Sequence, residues 1–352
     1  MYVKFTGTGH VLPSQRVTNE DFTNHEFYDE KGELYPMPMP DLLRKFEEIT
    51  GIGERRYASD QERASDLGAA AGKVAIEEAG IDPNSIDLII AAHNFGDMDK
   101  GTGRSDILPS LASRIKHILE IENDACVPFD ILFGCPGWIQ GVLLAEMYIK
   151  AGKAKRALVV GCEMLSRALD PHDRNGMIFA DGAGACILEA SDKPGIIGSA
   201  VMNKAAEEAY YLFAGPGEKP GADPDERFIK MKGRKIYEFA LKEVPKAMKM
   251  AMDDAGVEAK DLDMIFMHQA NAKLDHAVVD RFYRLYGIRE IPENVLPMSV
   301  NWLGNSSVAT VPTLFDLVRK TDYNGHTLKK GDTLLFASVG AGMNVNAFVY
   351  TY

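Results

Sequence analysis

The chain repeats itself at one fixed offset. Residues 77–90 read EEAGIDPNSIDLII and residues 253–266 read DDAGVEAKDLDMIF, 176 positions further on. Each copy holds an acidic pair, Ala-Gly, a β-branched residue, a polar turn and an apolar run. A helical pattern leads into each, DLGAAAGKVAIEEAG before the first and YEFALKEVPKAMKMAMDDAG before the second, and the glycine is placed to stop the helix ahead of a strand. The same offset returns at ALVVG (157–161) and TLLFA (333–337). Landmarks that share a single spacing mark two copies of one structural unit. Between them, VPFDILFGCPGWIQGVLLAEMYIKAG and NVLPMSVNWLGNSSVATVPTLFDLVRK each read as a further strand, turn and helix. The runs DLIIAA, RALVVG and DTLLFA are short, apolar and rich in β-branched residues, the pattern of strands covered by helices on both faces. The expected fold is α/β, with one half over residues 1–190 and the other over 191–352. The joint falls near 190–230, where GPGEKPGADPDE suits an exposed loop.

Charge narrows the partners. Asp and Glu number 51 against 39 Lys and Arg, a net charge of −12, which argues against nonspecific nucleic-acid binding. No run approaches the ~18 apolar residues of a membrane span, and MYVKFTGTGHVLPS reads as a strand and turn instead of a signal peptide. Cys126, Cys135, Cys162 and Cys186 form no C-x-x-C pair and have no histidine at zinc-finger spacing, so a cytoplasmic protein with free thiols and no structural zinc is expected.

Cys135 lies where an apolar strand ending at Phe133-Gly134 passes, through Pro136, into a helical pattern. A helix N-terminus favours the thiolate, which is one way to make a nucleophilic cysteine. An inert buried cysteine is the alternative, and it is the reading for Cys126, Cys162 and Cys186. His268 closes the strand DMIFM, at the strand end where open α/β sheets place ligands, or it merely caps that strand. Asn305, in NWLGNSSVATVPTLFDLV, is the second-half counterpart of Cys135 once the longer connection 321–331 is set against 151–155. Taken by itself, an Asn before a helix is usually an N-cap. Gly340-Ala341-Gly342 follows the last long strand, and such a loop aims backbone N–H groups at an oxyanion or simply turns.

Together these segments closely resemble the thiolase-fold condensing enzymes, and within them the 3-oxoacyl-acyl-carrier-protein synthase III group. The resemblance is carried by ITGIGERRYA (49–58), EEAGIDPNSIDLII, DILFGCPGW, ALVVGCEMLSRALDPHDRNGMIFADGAGACIL, HQANAKL and WLGNSSVATVPTL, in the expected order along nearly the whole chain. It implies a five-layer αβαβα arrangement of two duplicated halves, usually a homodimer, and a Cys-His-Asn triad of Cys135, His268 and Asn305. By the resemblance, Cys135 takes an acyl group from a coenzyme A or carrier-protein thioester. His268 and Asn305 then hydrogen-bond the thioester carbonyl of malonyl-acyl-carrier protein as CO2 leaves, and the carbanion attacks the acyl-cysteine. The backbone N–H groups of Cys135 and Ala341 would hold the oxyanion. No metal or redox cofactor enters this chemistry. Arg174 and Asn271 match positions that contact coenzyme A or its pantetheine arm. Lys273 matches a basic position that docks an acidic carrier protein, and the run KMKGRK (230–235), with Arg234, either adds positive charge there or is simply a solvated face.

Three departures bear on the substrate. An acidic-Trp-Ile segment common before T-G-I is replaced by DLLRKFEEITGI, with Ile49 where an arginine is usual, which weakens the expected grip on adenine. HEFYDEKGELYPMPMPD reads as an inserted, extended loop near the entrance. The loop after IIAAHNFGD is long, and Leu108 stands near the place where a bulky aromatic from the partner subunit often closes the acyl pocket. A pocket for a medium, long or specialised acyl group is the expectation. Competing readings are an acyltransferase that joins two acyl units or acylates an alcohol or amine, and a silent subunit of a heterodimer. Hydroxymethylglutaryl-CoA synthase is disfavoured because His93-Asn94 replaces its glutamate base, and thiolase because GAGMN lacks its second cysteine.

Overall fold

The computed structural model describes residues 1–101 and 103–352. Thr102, in the long loop before Leu108, lies outside the described residues. β1 (Tyr2–Val11), β2 (Leu88–His93), β3 (Val127–Leu132), β4 (Arg156–Met164) and β5 (Asp181–Ser191) form a five-stranded sheet in the order β1-β5-β4-β2-β3. β6 (Ile196–Asn203), β7 (Met264–Met267), β8 (Thr333–Gly340) and β9 (Asn344–Thr351) form a four-stranded sheet in the order β6-β9-β8-β7. The second order is the first with one strand missing. In each, a parallel pair (β2 with β4, β7 with β8) is followed by an antiparallel return. Where the repeat places a counterpart of β3, residues 291–298 run as coil and turn, tied to β7 by the Ile265 N–H donating to the Val295 carbonyl at 2.8 Å. Pro292 and Pro297 have no N–H with which to extend that pairing.

The longer helices are α1 (Met39–Thr50), α2 (Ala64–Ala79), α3 (Leu111–Ile118), α4 (Gly137–Lys150), α5 (Gly233–Ala255), α6 (Ala272–Arg284) and α7 (Thr310–Lys320). α2 and α3 cover the outer face of the first sheet, α5 and α6 that of the second, and α4 and α7 lie between the sheets. The layer order is therefore αβαβα, as expected. α2 and α5 both stop on left-handed glycines, Gly80 (φ 64°) and Gly256 (φ 67°), at equivalent places in the repeat.

Strand alternation explains the unbroken apolar runs. Leu88 and Ile90 face the central layer, and Ile89 and Ala91 the outer helices; Met264 and Phe266 alternate with Ile265 and Met267 in the same way. In the central layer Phe336 of β8 stacks on Phe348 of β9 with centroids 4.5 Å apart, and meets Phe315 of α7 edge-on at 5.0 Å. Such pairs contribute ~0.5–1.5 kcal/mol each beyond area burial, and they fix α7 against the second sheet. Cys126, Cys162 and Cys186 are buried among these cores.

Candidate active site

Three strand ends converge. β3 ends at Leu132, Gly134 turns the chain with φ 67°, and Cys135-Pro136 lead into α4. A Cβ on Gly134 would sit 2.5 Å from the Ala341 nitrogen, so only glycine lets the backbone beyond β8 approach the cysteine. The Cys135 and Ala341 N–H groups thus belong to abutting backbone segments.

His268 follows β7 directly, its N–H donating to the Ala337 carbonyl of β8 at 2.9 Å. Asn305 is stitched to the other half of the molecule. Its N–H donates to the Ile178 carbonyl (3.0 Å), and its carbonyl accepts from the Ala180 N–H (2.8 Å). Its side-chain Oδ1 accepts from the Ser307 N–H at 2.8 Å, which fixes the carboxamide and leaves its NH2 group as the donor. The helix equivalent to α4 starts later here: a short 3-10 turn, Ser307–Ala309, separates Asn305 from α7.

Cys135, His268 and Asn305 line one small cavity, otherwise mostly apolar, with a volume of about 80 Å³. Ile178, Met231, Ile236, Ala270 and Leu274 are shared with an outer cavity of about 350 Å³, and form the neck between the two. On its other side Cys135 borders a third cavity of about 270 Å³, walled by Asn94, Phe95, Leu165, Phe179, the Leu212–Gly215 ribbon, Ile229, Ser307 and Ala341. Cys135, His268 and Asn305 therefore lie between the outer cavity and the third one.

Burial sets the electrostatics. It pushes His268 down to about 4, against a smaller opposing effect of the Ser307 backbone, so the imidazole is neutral at physiological pH. His268 Nδ1 is buried with no hydrogen-bond partner among the described residues. Cys135 opens to the cavities yet lies deep in the molecule. Burial pushes its thiol up to about 11; the Ser307 hydroxyl, 3.3 Å from Sγ, pulls the other way, and the Glu163 carboxylate adds to the rise. Burial thus opposes the thiolate that the start of α4 is expected to favour. Glu163 is itself pushed up to about 7, first by burial.

Residues 129–205 match the family described as 3-Oxoacyl-[acyl-carrier-protein (ACP)] synthase III, and residues 252–352 match its C-terminal domain. A beta-ketoacyl-[acyl-carrier-protein] synthase III of Neisseria meningitidis is 33% identical, over 100% of this chain and 99% of its own. The chain belongs to the 3-oxoacyl-acyl-carrier-protein synthase III family. A second such synthase, from Actinobacillus pleuropneumoniae, is 32% identical over 97% of both chains. Among solved structures, the 3-oxoacyl-[acyl-carrier-protein] synthase III of Aquifex aeolicus superposes with a TM-score of 0.80 at 27% identity, covering 99% of this chain and 100% of its own. The priming beta-ketosynthase of the R1128 polyketide biosynthetic pathway superposes with a TM-score of 0.82 at 26% identity, covering 99% and 96%. The protein is an acyltransferase of the condensing-enzyme type, with the thiolase-like fold.

Against that family pattern, Arg174 and Asn271 both line the outer cavity. Asn271 also caps α6, its Oδ1 accepting from the Leu274 N–H at 3.1 Å. Arg174 stacks over the Tyr35 ring at 4.4 Å. Tyr35 and Met37, from the inserted segment, form part of the mouth together with Phe46 and Ile49. Lys273 and Arg234 are exposed near this opening, Arg234 pairing with Glu238 at 2.9 Å. The basic run KMKGRK needs correction at its first residue. Lys230 is buried and bound to Asp170 (2.6 Å), Glu218 (3.0 Å) and Asp173 (3.4 Å), so it adds nothing to a surface patch. Leu108 is 87% exposed and lines none of the three cavities of its own chain.

Sequence reasoning missed Ser307, Asn94 and the ribbon Leu212–Gly215/Phe228–Met231. Ser307 stood inside the quoted WLGNSSVATVPTL, two residues from Asn305, but nothing in the string marks its hydroxyl as facing Cys135.

Proposed function

We propose that the protein condenses an acyl group carried on Cys135 with malonyl-acyl-carrier protein. The carrying observation is that Cys135, His268 and Asn305 line one narrow, largely apolar cavity reached through a neck from a larger mouth. The thioester arm of a carrier or of coenzyme A runs down that neck past Arg174 and Asn271. The Cys135 sulfur attacks the acyl carbon, the donor's carbon–sulfur bond breaks, and the released thiol takes the proton that Cys135 gave up. Malonyl thioester then occupies the same arm site. Neutral His268 and the Asn305 NH2 group hydrogen-bond its carbonyl oxygen, and that oxygen gathers negative charge as CO2 leaves. A neutral imidazole suits this role, because its N–H donates a hydrogen bond yet is a far weaker acid than an imidazolium that would protonate the carbanion. The carbanion attacks the acyl-cysteine, with the Cys135 and Ala341 N–H groups on the oxyanion.

Donor choice follows from the mouth. Ile49, Tyr35, Met37 and Phe46 make its wall apolar, which favours an acyl group delivered by carrier protein over free acetyl-CoA. Lys273 and Arg234 supply positive charge for an acidic carrier. The same apolar mouth supports the second reading, a specialised acyltransferase that joins two acyl units or acylates an alcohol or amine.

The working form in this reading is a homodimer. β3 is an edge strand with Val127 56% and Leu132 64% exposed, beside exposed Leu108 and Met147. A second copy covering this edge would bring Leu108 to its partner's acyl pocket. The cytoplasm suits its four free cysteines, and none of the described helices is long and apolar enough to cross a membrane.

The test is intact-protein mass spectrometry of the wild type and Cys135→Ala with acetyl-CoA, octanoyl-CoA and octanoyl-carrier protein, followed by malonyl-carrier protein. Acylation of the wild type alone, cleared by malonyl-carrier protein with release of a 3-oxoacyl product, is expected. Acylation that malonyl-carrier protein leaves in place, but an alcohol, an amine or a second acyl thioester removes, would favour the second reading. No mass gain with any donor would overturn both.

A further inference from the structure

We propose that Ser307 is a further catalytic residue, whose hydroxyl donates to the Cys135 sulfur as it becomes a thiolate, and that Asn94 is the residue that positions this hydroxyl. The proposal rests on reading Cys135 as the nucleophile. Ser307 Oγ lies 3.3 Å from Cys135 Sγ and donates to it. Asn94, just beyond β2, donates through Nδ2 to Ser307 Oγ at 3.1 Å and through the same NH2 group to the Glu163 carboxylate of β4. An NH2 group has two hydrogens, so it serves both partners at once. Glu163, wholly buried, accepts one hydrogen and thereby fixes which way the Asn94 amide faces. The other hydrogen occupies Ser307 Oγ as an acceptor, which leaves the serine's own proton to point at the sulfur. The chain of donors therefore has one direction, from Asn94 through Ser307 to Cys135.

Two further features single out Ser307. Its φ is 54°, a left-handed conformation that a residue with a Cβ seldom adopts. Its N–H holds Asn305 Oδ1 at 2.8 Å, so one strained residue touches both the nucleophile and a condensation donor. The surroundings explain why such a donor is needed. Burial disfavours charge on the sulfur, and Glu163 opposes it further. His268, the other titratable group beside the cavity, stays neutral and offers no imidazolium. His93 donates to Asp130 of β3 at 3.0 Å, and its other ring nitrogen accepts from the Gly96 N–H, so its ring is already committed elsewhere. As the carbon–sulfur bond to the acyl group forms, charge leaves Sγ for the departing thiol, and the hydroxyl is no longer required there.

The test measures the sulfur directly. Alkylation of Cys135 by iodoacetamide is followed against pH, with Cys135→Ala as background. Below its midpoint the rate tracks the thiolate fraction. Ser307→Ala and Ser307→Gly both delete the hydroxyl, and glycine sits at φ 54° without strain. Both should slow alkylation at fixed pH about tenfold, equivalent to a one-unit rise in midpoint. Asn94→Ala should slow it by a smaller factor in the same direction, with the melting temperature kept as a separate readout. Unchanged rates in both serine variants would overturn the proposal, as would slowing in the alanine variant alone, since that would place the effect in the backbone. A wild type that shows this serine dependence but accepts no acyl group from any thioester would sink the condensation reading and leave the Ser307 assignment standing.

Discussion

A Cβ on Gly340 would fall 2.4 Å from the backbone nitrogen of Cys135. The end of β8 is seated directly on the start of α4, and the closeness of the two proposed oxyanion donors depends on a missing methyl group. Gly340→Ala should therefore act twice. Overpacking against backbone costs ~1–3 kcal/mol, a fall in melting temperature of ~1–2 °C per kcal/mol for a chain of this size. Separating the donors should also slow Cys135 acylation by ~100-fold, the order of effect seen when an oxyanion contact is lost. Calorimetry and time-resolved intact-mass measurements read the two effects separately. A lowered melting point with unchanged acylation would remove the oxyanion role.

His268 gives a pH prediction with a definite sign. Its folded value is pushed from the usual 6.5 down to about 4 by burial. A group lowered in the folded state contributes stability that is fully present above pH 6.5 and is lost as pH falls toward 4. The imidazole also stays neutral through the upper part of that window, down to about pH 5. Release of CO2 from malonyl-carrier protein by Cys135→Ala, which isolates the His268 and Asn305 step, should hold steady from pH 8 to about 5 and decline only near 4. A decline centred on 6.5 would mean that the imidazole titrates like an exposed one.

The parts of this molecule that were legible in its sequence are those where neighbouring residues state the physics. Strands buried on both faces must be apolar throughout, and helices that stop on Gly80 and Gly256 leave a glycine at each copy of the repeat, so the duplicated α/β halves could be read directly, while the five-layer arrangement came from the family resemblance. The places of Cys135, between a strand and Pro136, and of His268, at a strand end, were legible for the same reason. Ser307 was not, because its meaning comes from a cysteine 172 positions away and an asparagine 213 positions away. Lys230 misled because KMKGRK displays its charges but not the carboxylate of Asp170, 60 positions earlier, that neutralises the first of them.

That buried lysine carries a prediction of its own. Lys230 sits in the ribbon Leu212–Gly215/Phe228–Met231, whose residues wall both the triad cavity and the cavity beyond Cys135. It ties the ribbon to Asp170 and Asp173, next to Arg174 at the mouth. Lys230→Met would leave Asp170 buried without its cation, and breaking a buried pair from one side costs ~3–5 kcal/mol. Melting should fall, and limited proteolysis should cut the exposed 216–227 connection faster. KM for the acyl donor should rise more than kcat falls, because the ribbon shapes the walls and supplies none of the triad. A variant with wild-type proteolysis and KM would show that the ion cluster does not hold the ribbon.

The cavity beyond Cys135 sets the last prediction, because it has room for an acyl chain longer than acetyl. Its volume of about 270 Å³ exceeds the 80 Å³ around the triad. Ile229 lines this cavity and not the triad cavity, so a larger side chain there fills acyl space without touching His268 or Asn305. Ile229→Trp should abolish the octanoyl mass gain on Cys135 and leave any acetyl gain unchanged, with the melting temperature as a check on folding. Losing both acyl groups in a folded protein would mean that the ribbon has shifted onto Cys135 itself. If octanoyl transfer persists at the wild-type rate, the chain lies elsewhere, and the outer cavity lined by Tyr35, Met37 and Phe46 becomes its place.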